Sequence, residues 1–177
     1  MRMSKSIFLR KLKPEDLSSI FKSLDNEEIL YMTGTKKTIT FDQVQKHYET
    51  CEEDDTRYDF AICLSKNDEL IGDLAIVDIE KDNHKAVFRI SLHRTDIAGK
   101  GYGTEAVKQA VAFAFEELKL NRLQLEVYSH NLRGYRAYKK AGFTEEGRLR
   151  QSLYINGQYS DEIIMSVLRE DYEAVRN

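Results

Sequence analysis

The chain is poor in the residues that build disulfides, metal sites and rigid turns. Its 177 residues include two cysteines, four histidines, one proline and no tryptophan. Cys51 and Cys63 cannot form a disulfide framework by themselves, so a disulfide scaffold is not expected and the expected location is cytoplasmic. The histidines follow no His-x-x-x-His pattern and the cysteines follow no Cys-x-x-Cys pattern. We therefore expect no metal site.

Long apolar runs and an excess of positive charge are also absent. No stretch approaches the roughly 18 apolar residues that cross a membrane as a helix, so no membrane partner is expected. A formal net charge of -3 argues against a general nucleic-acid binder, which is usually basic. The content of 32% charged and 41% hydrophobic residues is typical of globular proteins, and the length fits one domain over 1–177.

Glycine is sparse, yet three of the nine glycines stand close together at positions 99, 101 and 103. The residues before them, 86–92, are rich in β-branched and aromatic types and predict a strand. The residues after them predict an amphipathic helix, because apolar side chains recur there at three- and four-residue steps. These side chains are Val107, Ala110, Val111, Ala114 and Leu118.

A glycine-rich turn between a strand and a helix predicts an anion site over 97–104. The first turn of the helix has unpaired N–H groups and the positive end of the helix dipole, and glycines let a ligand approach the backbone. A phosphate group is the expected ligand, and a tight packing corner is the alternative explanation. The spacing fits neither the P-loop, whose lysine follows its second glycine, nor the dinucleotide fingerprint, which needs a later third glycine.

Local patterns along the rest of the chain predict an α/β fold. They indicate a strand at 7–12, helices between Pro14 and Cys51, a hairpin over 58–77, a strand at 123–128 and a helix over 132–141. Asn156-Gly157 predicts the turn between two final strands, 143–154 and 158–168. The order gives a mixed sheet flanked by helices, with a right-handed crossover between parallel strands across 86–128. A ligand is expected beyond the carboxyl ends of those strands, where the glycine loop lies.

Two motifs resemble those of the GCN5-related N-acetyltransferase (GNAT) superfamily. Ala98-Gly99-Lys100-Gly101-Tyr102-Gly103 resembles its acetyl-CoA motif, Arg/Gln-x-x-Gly-x-Gly/Ala, with alanine in place of the basic or amide residue. Asn131, followed by Tyr138-Lys139-Lys140-Ala141-Gly142-Phe143, resembles Asn-…-Tyr-x-Lys-x-Gly-Phe. The stretch 154–161, together with Met165, is similar to the ribosomal-protein N-terminal-alanine and spermidine acetyltransferase branch. The resemblance implies one GNAT domain with about seven strands and a splayed parallel pair at the acetyl-CoA site.

The resemblance also implies which residues bind acetyl-CoA, the acetyl donor. For Asn131 the alternative role is to cap the following helix, and for Lys140 the alternative is a solvated side chain. Alanine at position 98 removes one side-chain contact to the cofactor but no backbone donor. Main-chain N–H groups of the preceding strand would stabilise the negative charge that develops on the carbonyl oxygen of the acetyl group. The implied contacts are Leu92, Ala98, Gly99, Lys100, Gly101, Tyr102, Gly103, Thr104, Asn131 and Lys140.

Tyr138 and Glu126 are the expected general acid and general base. The family motif places a tyrosine beside the sulfur of CoA, and a phenol, with a reference pKa of about 10, can protonate a departing thiolate. The alternative for Tyr138 is a core residue of its helix. Glu126 lies on the polar face of an alternating strand. The resemblance to the N-terminal-alanine branch implies that a glutamate on this strand acts as the general base. The alternative for Glu126 is an ion pair or a solvated side chain.

Together these features predict an N-acetyltransferase that moves an acetyl group directly from acetyl-CoA to a primary amine. The attacking amine must be neutral. At pH 7 about one α-amine in ten is neutral, but only about one lysine-type amine in 2,500 is. A general base is therefore more important for a lysine-type acceptor than for an α-amine. The favoured acceptor is a protein N-terminus such as ribosomal-protein alanine. The alternatives are a polyamine or other small amine, or a non-catalytic acyl-CoA sensor. A homodimer through the C-terminal strands is left undecided by the sequence.

Overall fold

Seven strands form one mixed sheet in the computed structural model, which describes residues 5–176. The strands are β1 (Ile7–Lys11), β2 (Tyr58–Leu64), β3 (Leu70–Glu80), β4 (Lys85–Leu92), β5 (Arg122–Tyr128), β6 (Thr144–Ile155) and β7 (Gln158–Leu168). Their order across the sheet is β1-β2-β3-β4-β5-β7-β6. Strands β4 and β5 are parallel, and the other neighbouring pairs in the described range are antiparallel. The predicted mixed α/β sheet is therefore confirmed.

Six α-helices connect or flank the strands of the described range. They are α1 (Leu17–Ser23), α2 (Glu27–Thr33), α3 (Phe41–Glu52), α4 (Tyr102–Glu116), α5 (Leu132–Lys140) and α6 (Arg169–Ala174). A capping box starts α3, in which the side chains of Thr40 and Gln43 bond the backbone of each other's residue. In the part of the chain described here, no helix is long and apolar enough to cross a bilayer.

The helices differ from the sequence prediction at two places. Helix α4 ends at Glu116, although the apolar pattern in the sequence continues to Leu118. The chain turns back at Lys119, which has a φ of 56°, and the N–H of Leu120 bonds the carbonyl of Ala114 at 3.0 Å. This closure buries Leu120 in the core, so tertiary packing ends the helix. Helix α6 was not predicted, because its six residues are too few to give a periodic pattern.

The two faces of the sheet carry separate cores. On one face, strands β3 to β5 pack against α4 through Val107, Val111 and Phe115, which are all almost fully buried. On the other face, α1 and α3 cover β1 and β2 through Leu17 and Tyr48. The helices on this second face leave parts of β3, β4, β5 and β7 uncovered. A cavity therefore remains above those strands.

The parallel pair β4–β5 separates after a short paired segment. The two strands pair at three positions, Lys85 with Arg122, Ala86 with Leu123, and Val87 with Gln124. Residues 88–92 of β4 continue to pair with β3, and residues 125–128 of β5 continue to pair with β7. The gap between them is the splay that the family resemblance implied. It confirms that part of the fold prediction, and it positions the site described next.

Candidate active site

Two cavities lie on opposite sides of the splay and meet there. One, of about 990 Å³, lies over the uncovered sheet face beside α1 and α3, and we call it the sheet-face cavity. The other, of about 670 Å³, lies between the glycine loop, the end of α2 and helix α5, and we call it the loop-side cavity. Two molecules bound in these cavities would therefore touch at the junction. The cavities share Met32, Thr33, Ile90, Ser91, Asn131 and Tyr138.

The glycine loop forms one wall of the loop-side cavity. Gly99 and Gly101 have φ values of 77° and 85°, and a Cβ built at either would meet no atom within 4 Å. Gly101 is also the N-cap residue of α4, so the unpaired N–H groups of its first turn lie beside this open space. The arrangement matches what an anion needs at a helix N-terminus, and it is the geometry that the sequence predicted.

Most of the predicted acetyl-CoA contacts line the loop-side cavity. Lys100 is the exception, since it is exposed and does not line either cavity. Gly103 packs closely on β4, because a Cβ there would lie 3.5 Å from a methyl carbon of Leu92. The lining residues from the predicted set are Leu92, Ala98, Gly99, Gly101, Tyr102, Gly103, Thr104, Asn131 and Lys140.

The loop-side cavity is rich in cations. Arg94, Arg133, Arg136 and Lys140 line it, against one carboxylate, that of Glu28. Arg133 pairs with Glu28, and Arg94 is held by Asp96 and Glu69. Arg136 and Lys140 form no ion pair within residues 5–176, and they stand one helical turn apart on α5. Sequence reasoning missed Arg136, although its spacing of four from Lys140 was a usable signal.

The sheet-face cavity has the opposite charge. Two of its basic side chains are paired, because Lys11 lies 3.4 Å from Glu52 and Arg57 lies 2.7 Å from Asp59. The lining carboxylates that remain are Asp54, Asp73, Glu126 and Glu162. In total the lining includes six carboxylates, at Glu52, Asp54, Asp59, Asp73, Glu126 and Glu162, and three lysine or arginine side chains, at Lys11, Arg57 and Arg89. Sequence reasoning missed Asp73 and Glu162 as members of the site.

Tyr138 is buried at the junction of the cavities. Its side chain packs near the ring of Phe143, with centroids 6.0 Å apart, and the residue is 9% exposed. Its hydroxyl makes no hydrogen bond to any residue of 5–176, and the residue lines both cavities. Burial raises the pKa of the phenol to about 12, so the group is protonated throughout the physiological range.

Glu126 and Asn131 occupy different positions relative to this junction. Glu126 is exposed on the polar face of β5 and lines the sheet-face cavity, but it does not line the loop-side cavity. Asn131 lines both, and its side chain is also the N-cap of α5. Its Oδ1 accepts from the N–H of Gly134 at 2.9 Å, and its Nδ2 donates to the carbonyl of Met32 at 3.4 Å. The capping role expected as an alternative is therefore present.

The end of α2 is fixed across the junction by the loop after β5. His130 Nε2 lies 2.7 Å from the carbonyl oxygen of Tyr31, and its ring stacks on the rings of Tyr31 and Tyr128. Gly34 ends α2 at a φ of 68°, where a Cβ would overlap the Tyr128 ring. These contacts connect residues about 100 positions apart, so no local sequence pattern could have predicted them.

Comparison with known proteins decides the family. The protein-family model of the acetyltransferase (GNAT) domain matches residues 6–144. The chain belongs to the GNAT acetyltransferase family. This confirms the resemblance found in the two sequence motifs, and GNAT proteins use acetyl-CoA as their acetyl donor.

Two relatives of this GNAT chain match nearly its whole length. The spermidine N(1)-acetyltransferase of Escherichia coli K12 is 29% identical over 174 residues, which cover 98% of this chain and 92% of that protein. The crystal structure of spermidine N-acetyltransferase from Vibrio cholerae in complex with CoA and spermine has a TM-score of 0.88 at 26% identity. That match covers 96% of this chain and 99% of the Vibrio chain.

A third relative represents the other activity of the expected branch. YdaF of Bacillus subtilis, named only provisionally as a ribosomal N-acetyltransferase, is 32% identical, but the match covers 59% of this chain and 56% of YdaF. The branch assignment made from the C-terminal hairpin is therefore confirmed, and the matches that cover nearly the whole chain include spermidine acetyltransferases.

Proposed function

We propose that this GNAT protein transfers the acetyl group of acetyl-CoA to a primary amine of a small, multiply charged amine of the spermidine type. One observation carries the proposal: a cation-rich cavity and a carboxylate-rich cavity meet at a buried tyrosine in the splay between β4 and β5. Coenzyme A is a polyanion and a polyamine is a polycation, so each cavity has the charge opposite to one of the two proposed substrates.

The acceptor in this proposal replaces the one that the sequence favoured. A protein N-terminus was the first expectation and a polyamine the alternative, and the comparisons support the alternative better. The Escherichia coli relative acetylates spermidine by its name, and the Vibrio relative was crystallised with spermine. The carboxylates of the sheet-face cavity that have no lysine or arginine partner agree with a cation that has several charges, because a peptide N-terminus offers one.

We assign acetyl-CoA to the loop-side cavity. The backbone of 98–104 would hold its pyrophosphate, since the space beside Gly99 and Gly101 is open and a helix N-terminus adjoins it. The other predicted contacts are Leu92, Asn131 and Lys140, and we add Arg136 to them. The two unpaired cations on α5 would neutralise phosphate groups, which offsets the missing basic side chain at Ala98.

Tyr138 and Glu126 take the acid and base roles in the proposed reaction. The bound acetyl-CoA supplies the thioester. Tyr138 would donate its proton to the departing sulfur, since its hydroxyl is protonated and has no hydrogen-bond partner within residues 5–176, and the residue lines both cavities. Glu126 would accept a proton from the incoming ammonium group, directly or through a water molecule, on the acceptor side of the splay.

A thiol-release assay tests the proposal. Purified protein is mixed with acetyl-CoA and each member of a panel that contains polyamines, monoamines and peptides beginning with alanine. We expect the highest kcat/KM with polyamines. A preference for the peptides would return the assignment to the protein N-terminus. Binding of CoA without thiol release on any amine would instead support the sensor alternative.

We also propose that the protein self-associates through the C-terminal hairpin. Leu149, Tyr154 and Tyr159 on this hairpin are each at least half exposed, and the two tyrosine rings lie 4.9 Å apart. A structure of the Vibrio cholerae enzyme is described as dodecameric, which shows that a relative with this fold assembles. Light scattering of wild type and Tyr159→Ser tests the proposal. An unchanged mass would contradict it.

A further inference from the structure

We infer that Asp73 is the residue that binds a second, non-reacting ammonium group of the acceptor. The inference rests on the proposed function and deepens it, because it names the residue that would select multiply charged amines over monoamines. It starts from a carboxylate that the acid and base roles above do not use, and that lines the sheet-face cavity beside the junction.

The position of Asp73 follows from the strand register. Asp73 lies on β3 directly opposite Ser91 of β4, and Ser91 lines both cavities. Directly opposite residues in an antiparallel pair have their side chains on the same face of the sheet. The carboxylate of Asp73 therefore lies on the acceptor side, next to the residue at which the two cavities meet.

One oxygen of this carboxylate is held by a buried histidine, and the other makes no hydrogen bond or ion pair within residues 5–176. Oδ1 of Asp73 lies 2.6 Å from Nε2 of His93, whose side chain is 3% exposed, while the Asp73 side chain is 34% exposed. Nε2 carries a proton in this contact, because two bare acceptors would repel at that distance. Oδ2 has no partner within residues 5–176, so it is free to bind a ligand cation.

The histidine is itself fixed from a third element. Nδ1 of His93 lies 3.2 Å from the hydroxyl of Ser19 on α1, so both ring nitrogens have partners and the ring cannot rotate freely. His93 is therefore a positioning residue, which holds the carboxylate of Asp73 in one orientation. A carboxylate fixed in advance binds a cation with less loss of side-chain entropy.

The distance from Asp73 to the reaction point fits a short diamine unit. Neighbouring strands lie about 4.8 Å apart, and the splay lies on the far side of β4 from β3. Asp73 is thus one to two strand spacings, about 5 to 10 Å, from an amine in the splay. Propane- and butane-linked nitrogens, as in polyamines, fall within this range.

One basic side chain in the same cavity favours a different acceptor. Arg89 lines the cavity two residues before Ser91 and makes no ion pair within the described part of the chain. An amine that also carries a carboxylate, such as an amino acid, would use Arg89. We argue for the diamine because the cavity carboxylates without a lysine or arginine partner outnumber this single cation.

The test compares Asp73→Asn with a matched control, Asp78→Asn. Asp78 lies on the same strand, is exposed and lines neither cavity, and its φ of 52° suits asparagine. The assay measures kcat and KM for a series of α,ω-diamines and for monoamines of matching length. For Asp73→Asn we expect the ratio of kcat/KM for diamine to that for monoamine to fall by about tenfold, mainly through KM. For Asp78→Asn the ratio is expected to stay at the wild-type value.

A second variant separates recognition from a structural role. Asp73→Glu keeps the charge and extends it by one methylene, so the best diamine is expected to become shorter. An unchanged ratio in Asp73→Asn together with an unchanged length preference in Asp73→Glu would overturn the inference and leave the proposed function standing. A preference of the wild type for amines that carry a carboxylate would overturn it in favour of Arg89. No acetylation of any amine by the wild type would overturn both.

Discussion

Tyr138 is the residue on which the proposed chemistry depends most directly. Replacing its hydroxyl by hydrogen in Tyr138→Phe removes the proton donor and leaves the ring packed near Phe143. We expect kcat to fall by about 10²-fold, with CoA affinity unchanged, because general-acid groups contribute on this scale. Steady-state kinetics and CoA titration measure the two quantities. Tyr135→Phe is the matched control, since Tyr135 lies on the same helix and bonds Glu145 outside both cavities. Equal loss in the two variants would contradict the acid role.

The pH dependence of the reaction separates the acid from the base. Because burial raises the pKa of Tyr138 to about 12, its protonated form persists as the pH rises, so Tyr138 should cause no loss of rate below about pH 10. A carboxylate base must be ionised to accept a proton, so a reaction that uses one should lose rate at acidic pH. We expect Glu126→Gln to lower kcat and to remove this acidic limb from the pH profile. Glu117→Gln, on an exposed glutamate outside both cavities, should keep the limb. If the rate of Glu126→Gln still fell at acidic pH, Glu126 would not be the base.

At the scale of single elements, the glycine loop combines strain with ligand access. Alanine at position 101 would adopt a φ of 85°, a conformation that costs an L-residue about 1–2 kcal/mol, and its methyl would project into open space in the loop-side cavity. We expect Gly101→Ala to lower the free energy of unfolding by about 1 kcal/mol and to weaken CoA binding. Chemical denaturation and titration calorimetry test the two effects. Gly147→Ala on β6, which has open space and no left-handed φ, should change neither. Full CoA affinity in Gly101→Ala would contradict the assignment of the loop.

The three C-terminal strands are tied together by one carboxylate. Glu146 of β6 accepts from Arg122 of β5 at 2.6 Å and from the Ser166 hydroxyl of β7 at 2.6 Å. These bonds, that from Arg122 first, lower the pKa of Glu146 to about 2. Because the pKa of Glu146 is lower in the folded than in the unfolded protein, the ionised carboxylate stabilises the fold. This stabilisation is complete above the unfolded pKa of about 4.3. It is lost as the pH falls towards about 2.

The stability of Glu146→Gln should therefore differ from wild type in a pH-dependent way. We expect a loss of about 0.5–1 kcal/mol at neutral pH, a modest value because the side chain is partly solvated. The difference should shrink as the pH falls through about 2, where the wild-type carboxyl takes up its proton in the folded protein. Urea unfolding across this pH range measures it, with Glu53→Gln as an exposed control. A difference that does not change with pH would show that the carboxylate charge is not the cause.

Elements with local signals were predicted from sequence, and those fixed by distant contacts were not. The glycine loop and the Asn156-Gly157 turn each have their cause within a few residues. Asn156 and Gly157 indeed have φ values of 50° and 76°, as a two-residue hairpin turn requires. The early end of α4 and the docking of α2 depend on packing between remote segments, so the chain around them gives no signal.

The same distinction applies to the candidate site. Family motifs pointed to Tyr138, Asn131 and the loop, and these residues lie at or beside one junction. Asp73 could not be found in this way, because its place beside the junction depends on the pairing of β3 with β4. Glu162 is a similar case, since it enters the cavity through its pairing with Tyr128 on β5. Register decides which carboxylates share a cavity, and it is a property of the assembled sheet.

At the scale of the whole molecule, charge is separated between the two cavities although the net charge is only -3. Attraction between a cavity and a substrate of opposite charge weakens when the Debye length shrinks to about 8 Å at physiological ionic strength. We expect added salt to raise the KM for a polyamine more steeply than the KM for a monoamine, and also to weaken CoA binding. Kinetics over a range of salt concentrations measure these slopes. Equal slopes for the two amines would contradict recognition of several charges.

The three-position pairing of β4 with β5 also bears on how this protein can be engineered. Backbone groups that border the gap are denied partners in the sheet, so the unliganded protein gives up hydrogen bonds that a continuous sheet would make. Selection for heat resistance alone would favour sequences that close this gap, since every added pair contributes enthalpy. Such variants would lose the gap at which the two cavities meet. Thermostable catalysts of this fold must therefore be sought through changes elsewhere in the chain.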